Sequence, residues 1–149
     1  MADTNKLADT NRLQVRLVTP ERILVNQTAD AVELPSKSGY LEVLYGHAPL
    51  LAELGAGEVR LHGGEAGEQR FSVARGFVEV LPERVTILAE SAIRPEEIDT
   101  GAAQQQLDQG HKLWNEAGDD SEKYAHANEV IREAESRLES AKGGGKAGS

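Results

Sequence analysis

Apolar and polar residues alternate with a period of two from Leu13 to about Ser91, and turn residues interrupt the alternation at short intervals. In "LQVRLVTPERILV", Leu13, Val15 and Leu17 alternate with Gln14 and Arg16 before "TPER" reverses the chain. The texture recurs: "EVRLH" offers Val59 and Leu61, "RFSVARG" offers Phe71 and Val73, and "FVEVLPERVTIL" sets Val78 and Val80 before the Pro82 turn and Val85 and Ile87 after it. Short strands punctuated by Gly and Pro at roughly 8 to 12 residues predict an antiparallel β-sandwich or flattened barrel. A parallel sheet would need helices between the strands, and this stretch has no room for them.

At "SAIRPEEID" the period changes. Pro95 suits a first helical position, and Glu96, Glu97 and Asp99 place acid where a helix dipole favours it. These residues predict a helix from about Pro95 to Asn115, with Ala103, Leu107, Gly110 and Trp114 as its seam. "EAGDDSEK" breaks it, and Asp119 with Glu122 predicts a capping box. A second helix follows with Tyr124, Ala127, Ile131, Ala134, Leu138 and Ala141 at strict +3/+4 spacing. Two narrow seams joined by one short loop predict an antiparallel helical hairpin. Gly101 and Gly110 each cost about 1 kcal/mol relative to Ala, so this hairpin is expected to be weakly held and able to undock.

The 149 residues are 39% hydrophobic, enough for one domain with an appendage. Residues 1–12, with the doubled "ADTNKL" and "ADTNRL", predict a flexible tail, 13–93 the β domain, 94–142 the hairpin and 143–149 a disordered end. Twenty-five acidic residues against 16 basic ones give a net charge of −9 with no basic stripe, which argues against nucleic acid as a partner. Without cysteine there is no disulfide, thiol catalysis or cysteine-ligated zinc. No apolar run approaches the roughly 20 residues of a membrane span, nor does the N-terminus carry a signal-peptide core, so a soluble chain is expected.

Candidate chemistry is sparse. His47, His62, His111 and His126 have no metal-ligand spacing, and no metal or other cofactor is expected. Ser38, Ser72 and Ser91 lack a nucleophile elbow, and "GAGEVR" places Arg60 where a dinucleotide fingerprint needs its third glycine. No catalytic constellation assembles, so the chain reads as a non-enzyme. The densest unexplained stretch is "GYLEVLYGHAPLL", residues 39–51. Gly46 and Pro49 force a turn around His47 and Ala48, and Leu41, Val43, Leu44, Leu50 and Leu51 anchor its flanks.

The ordered set "SGYLEVLYGHAPLLAEL", "GEVRL" and "FSVARGFVEVLPERVTILAESAIRPEEID", followed by a helical hairpin, resembles the epsilon subunit of the bacterial F-type proton-translocating ATP synthase over about residues 13 to 141. The resemblance implies a sandwich of about ten strands followed by a C-terminal α-helical hairpin. It also implies a non-catalytic part of the central-stalk rotor, linking the gamma subunit to the membrane c-ring for proton-driven ATP synthesis. The hairpin would regulate ATP hydrolysis by reaching the alpha and beta subunits. Implied partners are thus gamma, the c-ring and the catalytic subunits, with the membrane touched only through the complex, on the cytoplasmic side of the bacterial plasma membrane.

By the same resemblance, Gly39, Tyr40, Leu41 and Glu42 fall in a loop facing the c-ring, and Tyr45 and His47 lie beside it as further contact candidates. The chain departs from the family at three of these. Tyr40 stands where many bacterial relatives carry an acid, Glu42 where glycine is usual and Tyr45 where proline is usual. An ATP-binding pattern of some relatives is also broken: Asp99 is present but Ala102 occupies the arginine's place, which predicts that ATP binding is lost. On the second helix, Lys123, Arg132, Arg137 and Lys142 are the inhibitory contact candidates. The competing reading is solvated charges paired with Glu129, Glu133, Glu135 and Glu139. A small ligand-binding β-sandwich unrelated to the rotor is the alternative function.

Overall fold

A computed structural model of the chain describes residues 11–143. The tails expected at 1–12 and 143–149 fall almost wholly outside that range. Within it, Arg12 is tied down: its guanidinium donates to the Gly63 carbonyl and sits 3.7 Å from Asp30. The chain divides between Ala92 and Ile93 into two compact units.

Among the described residues eight strands make up the first unit, the last ending one residue past its boundary: β1 Leu13–Val18, β2 Ile23–Ala29, β3 Ala31–Ser36, β4 Gly39–Leu44, β5 Leu50–Glu53, β6 Gly57–Gly64, β7 Gly67–Leu81 and β8 Arg84–Ile93. Their order is β2-β1-β8-β7-β6-β3-β4, with β5 also on β7. β7 accounts for one of the two strands by which this count falls short of the expected ten. "RFSVARG" and "FVEVL" read as two strands but form one of 15 residues. Its first half pairs with β6 and its second with β5. Between them Arg75 and Gly76 take positive φ, 58° and 141°, and a Cβ at Gly76 would collide with the Leu88 carbonyl. The strand bends there, so it serves both layers of the sandwich.

The expected β-sandwich is present, with one departure in its pairing. The pairing is not wholly antiparallel, because β1 runs parallel to β8, with Val15 opposite Val85 and Leu17 opposite Ile87. A parallel pair needs a long crossover, and here the whole intervening sandwich supplies it. The inward residues of each strand fill a single core, in which Leu13, Val15, Leu17, Val32, Leu34, Val43, Val59, Leu61, Phe71, Val85 and Ile87 have no exposed surface. Burying each such side chain stabilises the fold by about 1.5–3 kcal/mol.

The second unit begins with a 3-10 turn at Pro95–Glu97, not with a helix. Ile98 is extended, and the first helix, α1, spans Thr100–Glu116 with Asp99 as its cap, whose Oδ1 accepts from the Ala102 N–H at 3.0 Å. Glu96 and Glu97 therefore precede the helix instead of filling its first turn. The second helix, α2, spans Ser121–Ala141, and its cap is Asp120, not Asp119: the Asp120 carboxylate accepts from the N–H groups of Glu122 and Lys123. The two helices pack on each other as a hairpin, with Ala103, Gly110, Ala127 and Ala134 buried. Gly110 sits where a methyl would come within 2.7 Å of Ile131. Trp114, expected on the seam, is 45% exposed and meets Tyr124 edge-on at 5.2 Å.

Candidate functional site

Gly39–Leu44 is a strand, not the loop implied by resemblance. Its ladder to β3 pairs Pro35 with Tyr40, Leu34 with Leu41, Glu33 with Glu42 and Ala31 with Leu44. Period two then sorts the candidates by face. Tyr40, Glu42 and Leu44 point outward, whereas Leu41 turns inward, half-buried against the core. The apolar flanks split the same way: Val43 is fully buried, while Leu44, Leu50 and Leu51 are exposed.

The strand also separates the six residues. Gly39 and Tyr40 open β4 beside the turn at 37–38, and Tyr45 and His47 follow its far end, about 17 Å away at roughly 3.4 Å per residue. At the first end the Tyr40 hydroxyl accepts the Glu58 N–H at 2.9 Å, across a gap that only a glycine leaves open: a Cβ on Gly57 would lie 2.5 Å from that hydroxyl and 2.9 Å from Pro35. At the second end the Gly46 N–H donates to Pro82 and the His47 N–H to Leu44, closing the β4–β5 turn against the β7–β8 turn. The His47 ring donates from Nδ1 to the Ala48 carbonyl at 2.7 Å, a local contact that makes it a turn residue.

Between the ends the sheet carries charge. Glu58, 5% exposed, accepts from Arg70 through both carboxylate oxygens at 3.1 and 2.5 Å and from Arg60 at 3.0 Å. Such a bidentate pairing offsets the desolvation of a buried carboxylate. Two positions beyond Arg60 on β6, His62 lies between Glu33 of β3, 2.7 Å from Nε2, and Glu68 of β7, hydrogen-bonded to Nδ1. The Glu68 contact, then that of Glu33, raises the His62 pKa against the opposing effect of burial. Glu68 is held low by the Gly63 N–H and by His62.

Sequence reasoning missed a second feature altogether. Val18 pairs with Ile23 of β2 and with Leu88 of β8; Gly76 of β7 abuts Leu88, and its neighbour Phe77 lies opposite Glu53 of β5, two residues from Leu51. All five apolar side chains lie on the face away from the core. Ile23, Leu88, Phe77 and Leu51 are 52, 52, 53 and 71% exposed, forming an apolar row across five strands.

The helical candidates do not converge. Arg132 is about 180° round α2 from Lys123 and Lys142 about 100°, so they share no face. Arg137 turns into the hairpin and donates to Gln106 of α1 at 2.5 Å. Asp99, the residue left from the ATP-binding pattern, spends its carboxylate on capping α1.

Against known proteins, the ATP synthase delta/epsilon chain β-sandwich domain matches residues 12–95, more than half of the chain. The chain belongs to the ATP synthase delta/epsilon family. The epsilon chain of Koribacter versatilis is 47% identical over 100 residues, covering 66% of this chain and 68% of that one. The epsilon chain of Moorella thermoacetica is 38% identical over 129 residues, covering 87% and 96%, so this likeness to an epsilon chain extends through both units. The fold matches a chain in the Euglena gracilis mitochondrial ATP synthase OSCP/F1/c-ring structure, with a TM-score of 0.72 at 20% identity over 89% of this chain and 82% of that one. Sandwich followed by hairpin is thus the architecture that this epsilon-family chain shares with a solved ATP synthase component. Among the described residues no helix is long and apolar enough to cross a membrane.

Proposed function

We propose that the chain is a non-catalytic central-stalk subunit of an F-type ATP synthase, joining gamma to the c-ring during proton-driven ATP synthesis on the cytoplasmic side of the bacterial plasma membrane. The observation that carries this reading is the 38% identity to an epsilon chain along 96% of that chain's length. The surface supports it. A subunit that works by being held between partners needs outward apolar area, and the row Ile23, Val18, Leu88, Phe77 and Leu51 supplies it on one face of the sheet. Gamma docks on that row, and the end marked by Gly39, Tyr40 and Glu42 meets the c-ring. His47 and Tyr45, at the opposite end of β4, serve the gamma side.

Co-expression of the chain with gamma tests the proposal. Wild type co-purifies with gamma in a fixed ratio. The double variant Leu51→Asp and Phe77→Asp keeps the sandwich folded and loses gamma, since each change places a charge in a desolvated contact. A folded wild-type monomer that ignores gamma overturns the reading and leaves the ligand-binding sandwich.

The hairpin is the regulatory element in this reading, and its small-residue seam, Ala103, Gly110, Ala127 and Ala134, joins its two helices to each other with little apolar area, which suits helices that separate and extend as an inhibitor. With Lys123, Arg132 and Lys142 on different faces, they engage the alpha and beta subunits singly. Removing residues 95–149 raises ATP hydrolysis by the assembled enzyme if the hairpin inhibits; an unchanged rate removes that role.

A further inference from the structure

We propose that His62 is a proton-operated clamp, closing the β6–β7 turn onto β3 when both ring nitrogens carry protons and releasing it when one proton leaves. Both nitrogens face carboxylate oxygens: Nε2 faces Glu33 Oε1 at 2.7 Å and Nδ1 faces Glu68 Oε1. A carboxylate only accepts, and a neutral imidazole has one N–H, so the neutral ring can satisfy one of these contacts and sets a lone pair against the other. The imidazolium satisfies both. The arrangement also reaches the backbone, because the other Glu68 oxygen accepts the Gly63 N–H at 2.9 Å, so loss of the Nδ1 contact frees the group that holds the turn.

The surroundings leave this job to His62. On β6, Arg60 precedes it on the same face but is taken up by Glu58, as is Arg70 on β7. From β4, Glu42 stands opposite Glu33 and adds negative charge. β2 presents no ionisable group, and past its end Asp30 is beside Arg12, which also donates to the Gly63 carbonyl. Glu65 lies in the turn itself. Register shifts between Leu61 and Gly64, so the ladder there is already interrupted and the side-chain clamp takes its place. Because folding raises the His62 pKa above its ordinary 6.5, the clamp's contribution is complete below about 6.5 and is lost as pH rises through the raised folded value.

Proton NMR of the full chain across that range tests the clamp independently of any rotor role. The His62 ring should titrate above 6.5, and the Gly63 amide should shift and lose exchange protection with the same midpoint. In His62→Gln, whose side chain cannot carry a second proton, the Gly63 response to pH should vanish. In Glu33→Gln the wild-type midpoint should fall. A His62 midpoint at or below 6.5, a Gly63 amide indifferent to that titration, or a pH response that survives in His62→Gln overturns the proposal.

Discussion

Gly110 of α1 lies against Ile131 of α2 so closely that a Cβ on the glycine would sit 2.7 Å from the Ile131 Cγ1 and 3.2 Å from its backbone nitrogen. Gly101, in the first turn of the same helix, faces nothing nearer than the Asp99 carboxylate at 3.4 Å. The two glycines look alike in sequence and differ in what surrounds them.

Gly101→Ala should stabilise the hairpin by up to about 1 kcal/mol through helix propensity alone. Gly110→Ala gains the same propensity but must push Ile131 away, at a cost of about 1–3 kcal/mol, and should come out destabilised. Amide exchange in α1 and α2 separates them: protection rises in the first variant and falls in the second. A rise in both would mean that the helices do not pack through Gly110.

Tyr40→Phe should destabilise the sandwich by about 1 kcal/mol, since it removes the acceptor of the Glu58 N–H and leaves the aromatic ring in place. Gly57→Ala should do more damage, because its methyl meets both the Tyr40 hydroxyl and Pro35. Urea denaturation followed by strand circular dichroism checks the order. Equal stability of Tyr40→Phe and wild type would leave the Tyr40 hydroxyl without a structural role.

ATP should bind the purified chain weakly or not at all, because Ala102 cannot neutralise phosphate and the Asp99 carboxylate is occupied as a helix cap. Asp99→Ala should instead lower helix stability by about 1 kcal/mol. Calorimetry decides the first point, and micromolar affinity would refute it.

The strands were legible because one face of each is buried, and burial imposes alternation: Leu13, Val15 and Leu17 on β1, Val78 and Val80 on β7, Val85 and Ile87 on β8. Alternation is silent where neighbours are both apolar. Phe77 beside Val78, or Leu50 beside Leu51, carries no mark of which side chain faces water, so the outward row emerges only when the strands are set side by side. The pattern also divided one strand in two: positive φ at Arg75 and Gly76 bends β7 without ending it, so "RFSVARG" and "FVEVL" read as separate strands. The helix starts shifted because Pro95 fits a 3-10 turn as well as an α-helix, leaving Asp99 free to cap. His62 was missed because Glu33 and Glu68 reach it across strands from positions 29 and 6 residues away, a coincidence of register that no linear spacing encodes.

The parallel ladder of β1 on β8 sets a timetable for synthesis. Gln14 meets Arg84 and Val18 meets Leu88, so the first strand to leave the ribosome has its partner on one side only after the last strand has emerged. Until then β1 has β2 alone, and a two-stranded ribbon is marginal in water. A nascent chain halted before Arg84 should therefore lack a closed sandwich, whereas one halted just past the exit of Ile93 already holds every strand the sandwich needs, before either helix exists.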